Sequence, residues 1–354
     1  MNNSSFRPEW ATPPGATVRA LMESRHISQV DLSGILATSS EEAENLLIGA
    51  SSISEEIAQR LAAHIGGSAA FWLTRETQYR EALVRVEAAK TWLSAFPFTE
   101  MSKLGWVHQT PDDTSRVHAC LSFFGVPTTE EWFRKYSSAA ELAAFRKTAR
   151  YESSEGATLA WLRQGEIEAQ KIPCAAWNRK LLGESLETLR GLTRLSEPVE
   201  FLKALRDTLA ACGVRAVVVR PPQGCKAHGA TYFVDGKPIV LLSFRYLADD
   251  QFWFTVFHEV GHLLLHSDGK TFVEGHENPD GKEEIEANEF ASATLVPKHW
   301  LDALRRIGAD GRAVMRIAKE LNVAPGIVVG QMQFQGVITF RQLNNLKRRF
   351  KWAE

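Results

Sequence analysis

The sequence has few cysteines and no long apolar run. Its four cysteines among 354 residues are widely spaced, and none forms a C-x-x-C pair. This spacing argues against both a disulfide scaffold and a cysteine zinc knuckle, so we expect reduced thiols. The apolar runs are shorter than the ~18–20 residues that a membrane-spanning helix requires. The polar N-terminus lacks an apolar core of signal-peptide length. These absences predict a cytoplasmic protein without a membrane segment.

The chain also lacks an excess of charge of either sign. It has 41 Lys+Arg and 42 Asp+Glu, a formal net charge of −1, which excludes a generally basic nucleic-acid-binding protein. The charges are unevenly distributed, however. Residues 1–80 contain six arginines, no lysine and nine acidic residues, whereas residues 301–354 contain ten basic and four acidic residues. The basic end predicts either a solvated amphipathic last helix or a segment that contacts phosphates or an acidic surface.

The N-terminal segment, residues 1–84, reads as short helices with tight joints. Apolar periodicity predicts helices over 15–25, 29–36, 41–48 and 54–65. Ser28 is a predicted N-cap, Ser39 and Ser40 precede the third helix, and Gly49 ends it. Helices of this size joined by short turns predict a helix-turn-helix domain.

This segment resembles the XRE-type helix-turn-helix in its HigA-like antitoxin form. The residues that carry the resemblance follow the family's order over about 70 positions: Pro14-Gly15, Ile27-Ser28-Gln29, Leu32, Leu47-Ile48-Gly49, Ile53, Ala58, Leu61, Phe71-Trp72-Leu73 and Tyr79. The resemblance implies that the third helix reads DNA, with Ser39, Ser40 and Asn45 as candidate DNA-facing residues. That helix has three carboxylates and no Lys or Arg, although DNA binding depends on phosphate neutralisation. A protein-binding or dimerising domain, including a homodimer, is an equal alternative.

The rest of the chain divides into three segments. Residues 85–200 predict a helical, tryptophan-rich middle domain. Residues 201–300 mix helices over 201–212, 252–266 and 283–295 with strands over 215–220, 230–234 and 238–244. Asp235-Gly236 joins the last two strands as a hairpin turn. Residues 301–354 predict a basic helical end, with helices over 312–321, 327–334 and 342–352.

The predicted helix over 252–266 carries an H-E-x-x-H motif, His258-Glu259-Val260-Gly261-His262. Histidines at i and i+4 lie on one helical face, so both rings can bind one zinc ion. Glu259 follows the first histidine at the position from which a carboxylate acts on water as the general base. If the motif had only a structural role, two histidines and a glutamate on a core helix would each need their own hydrogen-bond partners. We therefore favour the zinc site.

Catalytic zinc commonly has three protein ligands, so the motif leaves one ligand unassigned. The helix over 283–295 places Glu284, Ala287, Asn288 and Ala291 on one face, and its alanines permit a close approach. We predict Glu284 as the third ligand and Glu286 as the runner-up. Asn288 is predicted to orient a ligand through a hydrogen bond.

Two further roles are left open by the sequence. Oxyanion stabilisers in such sites are Tyr, His or Arg side chains, and the candidates are Tyr232, Arg245, His266 and His276. Residues 239–244 either hold the substrate as an added edge strand or form an ordinary core strand.

The segment containing the motif resembles the ImmA/IrrE metallopeptidases. The resemblance rests on Leu242-Ser243-Phe244-Arg245-Tyr246, Asp249-Asp250-Gln251-Phe252-Trp253-Phe254, His258-Glu259-x-Gly261-His262, Glu284-x-x-Ala287-Asn288-x-Phe290-Ala291 through Pro297, and Val323 to Gly330. It implies a mainly α protein with an N-terminal all-α helix-turn-helix and a small α+β zincin-like metallopeptidase domain. It also implies zinc bound by His258, His262 and Glu284, with Glu259 as the general base.

Three functions follow from these features. The first is a zinc endopeptidase that cleaves a regulatory partner, a repressor or antitoxin, in a stress or mobile-element response. The second is a HigA-like antitoxin or XRE regulator whose zinc domain binds or senses rather than cleaves. The third is a scaffold that binds a toxin through the middle domain.

Overall fold

The computed structural model describes residues 11–136, 153–266, 272–273 and 281–352. Contacts between Cα atoms divide the chain into two compact units, Met1–Arg150 and Tyr151–Glu354. This division lies inside the segment predicted as the middle domain, residues 85–200. The division into four domains stays a prediction.

The first unit is helical throughout its described residues. Its helices are α1 (Pro14–Arg25), α2 (Gln29–Leu36), α3 (Ser40–Ile48), α4 (Glu55–His64), α5 (Ala69–Leu93), α6 (Phe98–Lys103), α7 (Asp113–Phe124) and α8 (Thr129–Tyr136). The four helices predicted over residues 15–65 are confirmed to within a residue or two at each end.

Side-chain caps explain why these short helices begin where they do. Ser28 and Ser39 each accept a hydrogen bond from the backbone N–H three residues later, and the carboxylates of Asp31 and Glu42 accept one from the backbone N–H of the cap residue. These reciprocal capping boxes satisfy N–H groups that the helix itself leaves unpaired. Gly49 ends α3 with φ 82°, a conformation that favours glycine. The XRE-type assignment of this unit stays a prediction.

The second unit combines helices with a small sheet. Its helices are α9 (Ser153–Gln170), α10 (Arg179–Glu184), α11 (Leu186–Leu192), α12 (Pro198–Ala211), α13 (Asp249–Leu265), α14 (Lys282–Leu295), α15 (Leu301–Ile307), α16 (Gly311–Glu320) and α17 (Pro325–Phe334). The strands are β1 (Arg215–Val218), β2 (Gly229–Val234), β3 (Lys237–Leu242) and β4 (Phe272–Val273). The fold class, mainly α with a small α+β domain, is confirmed.

The sheet has the order β1-β3-β2-β4. β2 and β3 form the predicted hairpin, and both turn residues, Asp235 and Gly236, have positive φ, 51° and 73°. β1 pairs with β3 in parallel, and β4 pairs with Ala230 and Thr231 of β2.

Of the two roles left open for residues 239–244, the structure supports the ordinary core strand. β3 is paired over Ile239–Leu242 with β1 on one side and with β2 on the other, so it has no free edge there. Phe244 leaves the sheet with φ 52°. β1, the strand that precedes the hairpin in the chain, decides the position of β3 by pairing with it in parallel, and the hairpin pattern by itself does not predict this neighbour.

One apolar core surrounds α13 in the second unit. Phe201 of α12, Trp253 and Val256 of α13, and Val328 of α17 are each at most 1% exposed in this cluster. Most of α13 is therefore buried, which holds the histidine motif rigidly within the unit.

The helix predicted over residues 342–352 is wrong. Apart from a short 3₁₀ turn at Asn344–Leu346 and an isolated β-bridge between Ala248 and Arg349, this segment is irregular. The backbone N–H of Asp249 donates to the carbonyl of Arg348 (3.1 Å), and that of Phe350 donates to the carbonyl of Leu247 (2.8 Å).

Two basic residues of this segment, Lys347 and Arg348, are anchored by partners elsewhere in the unit, whereas Arg349 and Lys351 are exposed. Nζ of Lys347 lies 2.6 Å from Oδ2 of Asp250, and both side chains are less than 10% exposed. The guanidinium of Arg348 donates to three carbonyl oxygens, those of Thr193, Arg194 and Leu195. The helix prediction fails because the backbone of Arg348 and Phe350 bonds to Asp249 and Leu247 instead of to its own helix, and the side chains of Lys347 and Arg348 hold the segment in place.

Among the described residues, no helix is both long and apolar enough to cross a membrane.

Candidate metal centre

The motif side chains lie on the buried face of α13. His258, Glu259 and His262 are 0%, 0% and 2% exposed. Neighbouring apolar residues, including Phe257 and Val260, are fully buried and fix the rotation of the helix. The 3.6-residue period then directs both imidazoles to the same side.

His258, His262 and Glu284 come together at a single point. Nε2 of His258 and Nε2 of His262 are 3.0 Å apart, and the Glu284 carboxylate oxygens lie 3.2 and 3.4 Å from them. Ligand bonds of 2.0–2.1 Å in a tetrahedron give ligand–ligand separations of about 3.3–3.4 Å. The donor set and its spacing therefore fit one zinc ion.

Small residues allow α14 to approach α13 this closely. Ala287 and Ala291 are fully buried. A Cβ on Gly261 would lie 3.0 Å from Cδ1 of Phe290 and 3.4 Å from Cα of Ala287. The close contact brings the Glu284 carboxylate within reach of both imidazoles.

Asn288 orients the first histidine. Its Oδ1 lies 3.0 Å from Nδ1 of His258. Since an amide oxygen only accepts hydrogen bonds, Nδ1 donates, and the neutral ring keeps its lone pair on Nε2, which faces the metal position. This is the contact that the sequence predicted for Asn288.

A second relay orients His262. Nδ1 of His262 lies 3.0 Å from Nδ1 of His266, and Nε2 of His266 lies 3.2 Å from Oε2 of Glu286. The Glu286 carboxylate accepts from Nε2 of His266, so Nδ1 of His266 accepts from His262. Glu286, the runner-up ligand, thus lies outside the cluster and contacts His266.

Electrostatics favour the protonation states that metal ligands require. Burial raises the pKa of Glu284, but hydrogen bonds to His258 and His262 and their charge outweigh it and lower this pKa to about 2. Burial, partly opposed by the hydrogen bond to Glu284, lowers the pKa of His262. An ionised carboxylate and a neutral imidazole are the forms that bind a metal.

β2 positions the Glu259 carboxylate. Oγ1 of Thr231 donates to Oε2 of Glu259 at 2.6 Å. A Cβ on Gly229 would lie 2.3 Å from Oε1 of Glu259 and 2.7 Å from Cγ2 of Thr255, so only glycine fits there. The carboxylate is held against β2, next to the ligand cluster rather than in it, as a general base requires.

The four candidate oxyanion stabilisers from the sequence do not form one group in the structure. The hydroxyl of Tyr232 donates to the carbonyl of Leu162 at 3.0 Å. Because alternate strand residues face opposite sides, Tyr232 lies on the other face of β2 from Thr231 and Glu259. Nη1 of Arg245 donates to the carbonyl of Cys225. His266 belongs to the relay behind His262, and His276 lies outside the described residues.

The candidate DNA-facing residues are all on α3 of the first unit. Ser39 is its N-cap, Ser40 is its first residue and Asn45 lies one turn further on. Of the nearby carboxylates, Glu42 closes the capping box, and Glu44 accepts from Gln29 at 2.9 Å. Their role in DNA binding stays a prediction.

A tyrosine–histidine pair near the cluster escaped the sequence reasoning. The hydroxyl of Tyr246 lies 3.1 Å from Nε2 of His228, and His228 directly precedes Gly229, which packs against Glu259. No spacing pattern links the two residues, because the β2–β3 hairpin separates them in sequence. Tyr246 could have been noticed in the sequence, because it is the last residue of the segment Leu242 to Tyr246 on which the family resemblance rests.

The segment that contains this cluster matches a known protein family. Residues 214–330 match the family model described as the IrrE N-terminal-like domain, Peptidase_M78. No curated protein and no solved structure matches the chain. The matched segment includes α13, α14 and all three side chains of the ligand cluster, so the second unit contains an IrrE N-terminal-like metallopeptidase domain.

Proposed function

We propose that this protein is a zinc-dependent endopeptidase that cleaves a regulatory protein, a helix-turn-helix repressor or an antitoxin. One observation carries the proposal. Two imidazole nitrogens and a carboxylate converge at zinc-ligand spacing, while the carboxylate of the adjacent Glu259 is held apart from them by Thr231.

The chemistry divides between the metal and the chain. Zinc, when bound, supplies Lewis-acid activation of water and of the scissile carbonyl. Glu259 takes the proton from the attacking water and returns it to the leaving amine. Its burial beside Thr231 keeps bulk water from competing for that proton.

Tyr246 and His228 are the described side chains best placed to stabilise the developing oxyanion. The Tyr246 hydroxyl and Nε2 of His228 share one hydrogen bond of 3.1 Å, which orients both side chains, and the backbone at Gly229 joins His228 to the Glu259 site. Donors already oriented before the reaction stabilise transition-state charge without further reorganisation.

The regulatory role rests on the organisation of the chain. A compact helical unit precedes the peptidase unit, and its N-terminal part resembles XRE-type regulators. We propose that this unit binds the partner protein and that cleavage changes transcription in a stress or mobile-element response. The acidic composition of residues 1–80, with six basic and nine acidic residues, favours protein binding over DNA binding.

Removal of the metal tests the proposed activity. The full chain is dialysed against a chelator and incubated with a proteome-derived peptide library, with cleavage followed by mass spectrometry. We expect cleavage to disappear and to return with one equivalent of zinc, because the ligand cluster holds one ion. Equal cleavage by the protein with and without metal would overturn the proposal.

Because β2 positions the Glu259 carboxylate, a substitution on β2 should lower the rate of cleavage without abolishing it. Thr231→Val removes the 2.6 Å hydrogen bond to Glu259 at nearly constant volume. A hydrogen bond to a charged group contributes about 1.5–3 kcal/mol, so we expect kcat/KM to fall by about 10- to 150-fold. Tyr232→Phe is the matched control, because it loses a hydrogen bond on the opposite face of the strand. A loss of rate in Tyr232→Phe without one in Thr231→Val would show that the assignment of faces is wrong.

A further inference from the structure

The loop between β3 and α13, residues 243–248, carries Tyr246 and has a strained backbone. Phe244 and Leu247, which flank Tyr246, have φ 52° and 50°. Large side chains rarely adopt this left-handed conformation because it costs free energy, and it persists only where surrounding contacts hold it. The position of Tyr246 therefore depends on the contacts that hold the loop.

Backbone hydrogen bonds join this loop to residues 347–352, here called the 347–352 segment. The N–H of Phe350 donates to the carbonyl of Leu247 at 2.8 Å. An isolated antiparallel bridge between Ala248 and Arg349 continues the pairing. The segment therefore restrains the loop backbone at one of its two strained residues.

Aromatic contacts hold the other strained residue. The ring of Phe244 lies 5.2 Å from that of Phe350 and 6.1 Å from that of Trp352. The ring of Phe350 also lies 5.5 Å from that of Phe201, which belongs to the apolar core. Both strained residues of the loop are thus held by the 347–352 segment, and the segment is itself attached to the core of the second unit.

A buried ion pair fixes the start of the segment. Nζ of Lys347 lies 2.6 Å from Oδ2 of Asp250, in the first turn of α13, and 2.6 Å from Oε1 of Gln333. The Lys347 and Asp250 side chains are 8% and 4% exposed. Moving Lys347 away would leave a buried carboxylate without its counter-charge, which is strongly unfavourable. The segment is therefore kept in one place against the loop.

Tyr246 in turn belongs to the site. Its hydroxyl shares a 3.1 Å hydrogen bond with Nε2 of His228. Both side chains line a cavity of about 250 Å³ that Thr255 and Asn288 also line, and Asn288 orients His258 of the ligand cluster. Tyr246 is 49% exposed, so burial alone does not fix its ring. The hydrogen bond and the loop backbone do so.

We propose that the 347–352 segment positions Tyr246 for catalysis and that Lys347 is a positioning residue of the peptidase, acting through the loop rather than on the substrate. This inference rests on the proposed function and deepens it. A hydroxyl oriented in advance stabilises an oxyanion without reorganisation. A displacement of about 1 Å, even from a distant substitution, can lower a rate by about 100-fold.

Fluorine NMR tests the positioning independently of turnover. The chain has five tyrosines, so the full chain labelled with 3-fluorotyrosine gives few resonances, and Tyr246→Phe identifies the one from Tyr246. We expect Lys347→Met to shift this resonance towards that of free fluorotyrosine and to leave the other four in place. Lys351→Met is the matched control, because Lys351 is exposed on the same segment, and it should change none of them.

A double-mutant cycle tests whether Lys347 acts through Tyr246. The substrate is a peptide that the library assay identifies as cleaved. We expect Lys347→Met to lower kcat by about 10- to 100-fold without a change in KM, because the lost interaction forms only in the transition state. In the Tyr246→Phe background, Lys347→Met should leave kcat nearly unchanged, since the hydroxyl that it positions is already absent. Zinc affinity should be the same in all variants.

Each outcome decides the proposal. An unchanged Tyr246 resonance in Lys347→Met overturns it, and so does an equal loss of kcat with and without the Tyr246 hydroxyl. If Lys347→Met does not fold, Trp352→Ala, which removes a ring next to Phe244, decides by the same two readouts. Absence of zinc-dependent cleavage by the unsubstituted protein overturns the proposed function and the catalytic role of the segment with it. Failure of the positioning alone leaves that cleavage in place.

Discussion

Replacing Glu259 with glutamine should lower the rate of peptide cleavage by about 10²–10⁴ while zinc binding and folding stay unchanged. That range is the usual contribution of a positioned general acid–base group. Glutamine keeps the shape of the side chain and can still accept the hydrogen bond from Thr231, but it cannot take a proton from water. Cleavage of the peptide library measures the rate, and elemental analysis measures the bound zinc.

A control on the neighbouring helix makes this result specific. Glu289 lies on α14 with a side chain 67% exposed and a single surface ion pair at 3.7 Å to Lys298. Glu289→Gln changes the charge by the same amount and should leave the rate unchanged. If Glu259→Gln retained full activity, Glu259 would not be the general base, and the mechanism would have to be abandoned.

Replacing Glu284 with alanine should weaken zinc binding by more than about 100-fold. Loss of a residue that only orients a ligand weakens metal affinity by about 10–100-fold, and loss of a ligand itself should cost more. Glu284 also supplies the negative charge closest to the two imidazoles. Competition with a zinc-binding dye measures the affinity of each variant.

Two neighbouring substitutions distinguish a ligand from its supporting residues. Asn288→Ala removes the hydrogen bond to His258, so it should weaken zinc binding by about 10–100-fold. Glu286→Ala acts only through His266 and should have a smaller effect than either. A larger loss in Glu286→Ala than in Glu284→Ala would reverse the assignment of the third ligand.

The local features of this fold could be predicted because their causes are local. Ser28 and Ser39 cap helices through groups three residues away, and Asp235-Gly236 closes a two-residue hairpin turn. The histidines of the motif are one helical turn apart, so their convergence follows from helix geometry alone. Each of these predictions depends on fewer than ten consecutive residues.

The predictions that failed depend on distant partners. Residues 342–352 have the composition of a helix, but Lys347 and Arg348 find buried carboxylate and carbonyl partners about 100–150 positions away. For β3 the choice between an edge strand and a core strand was left open, and the parallel pairing with β1 decided it. Nothing in the sequence of either segment indicates that the two segments contact each other in the fold.

The prediction of the third ligand depended partly on local sequence and partly on tertiary packing. The sequence offered several carboxylates on α14, and helical periodicity favoured Glu284 because it shares a face with Ala287 and Ala291. The approach of α14 to α13 through Gly261 and Ala287 brings the Glu284 carboxylate to the imidazoles and Glu286 to His266.

By itself, the sequence determined the histidine pair, the adjacent Glu259, the capped helices of the first unit and the mainly α fold class. These depend on backbone periodicity and on hydrogen bonds between near neighbours. Only the tertiary structure brought Glu284 to the histidines, set Gly229 and Thr231 of β2 against Glu259, paired His228 with Tyr246 and formed the adjoining cavity. Those features require the packing of segments far apart in the chain, and the burial of apolar surface that drives this packing is not directional. It therefore leaves no pattern in the sequence that identifies the partners.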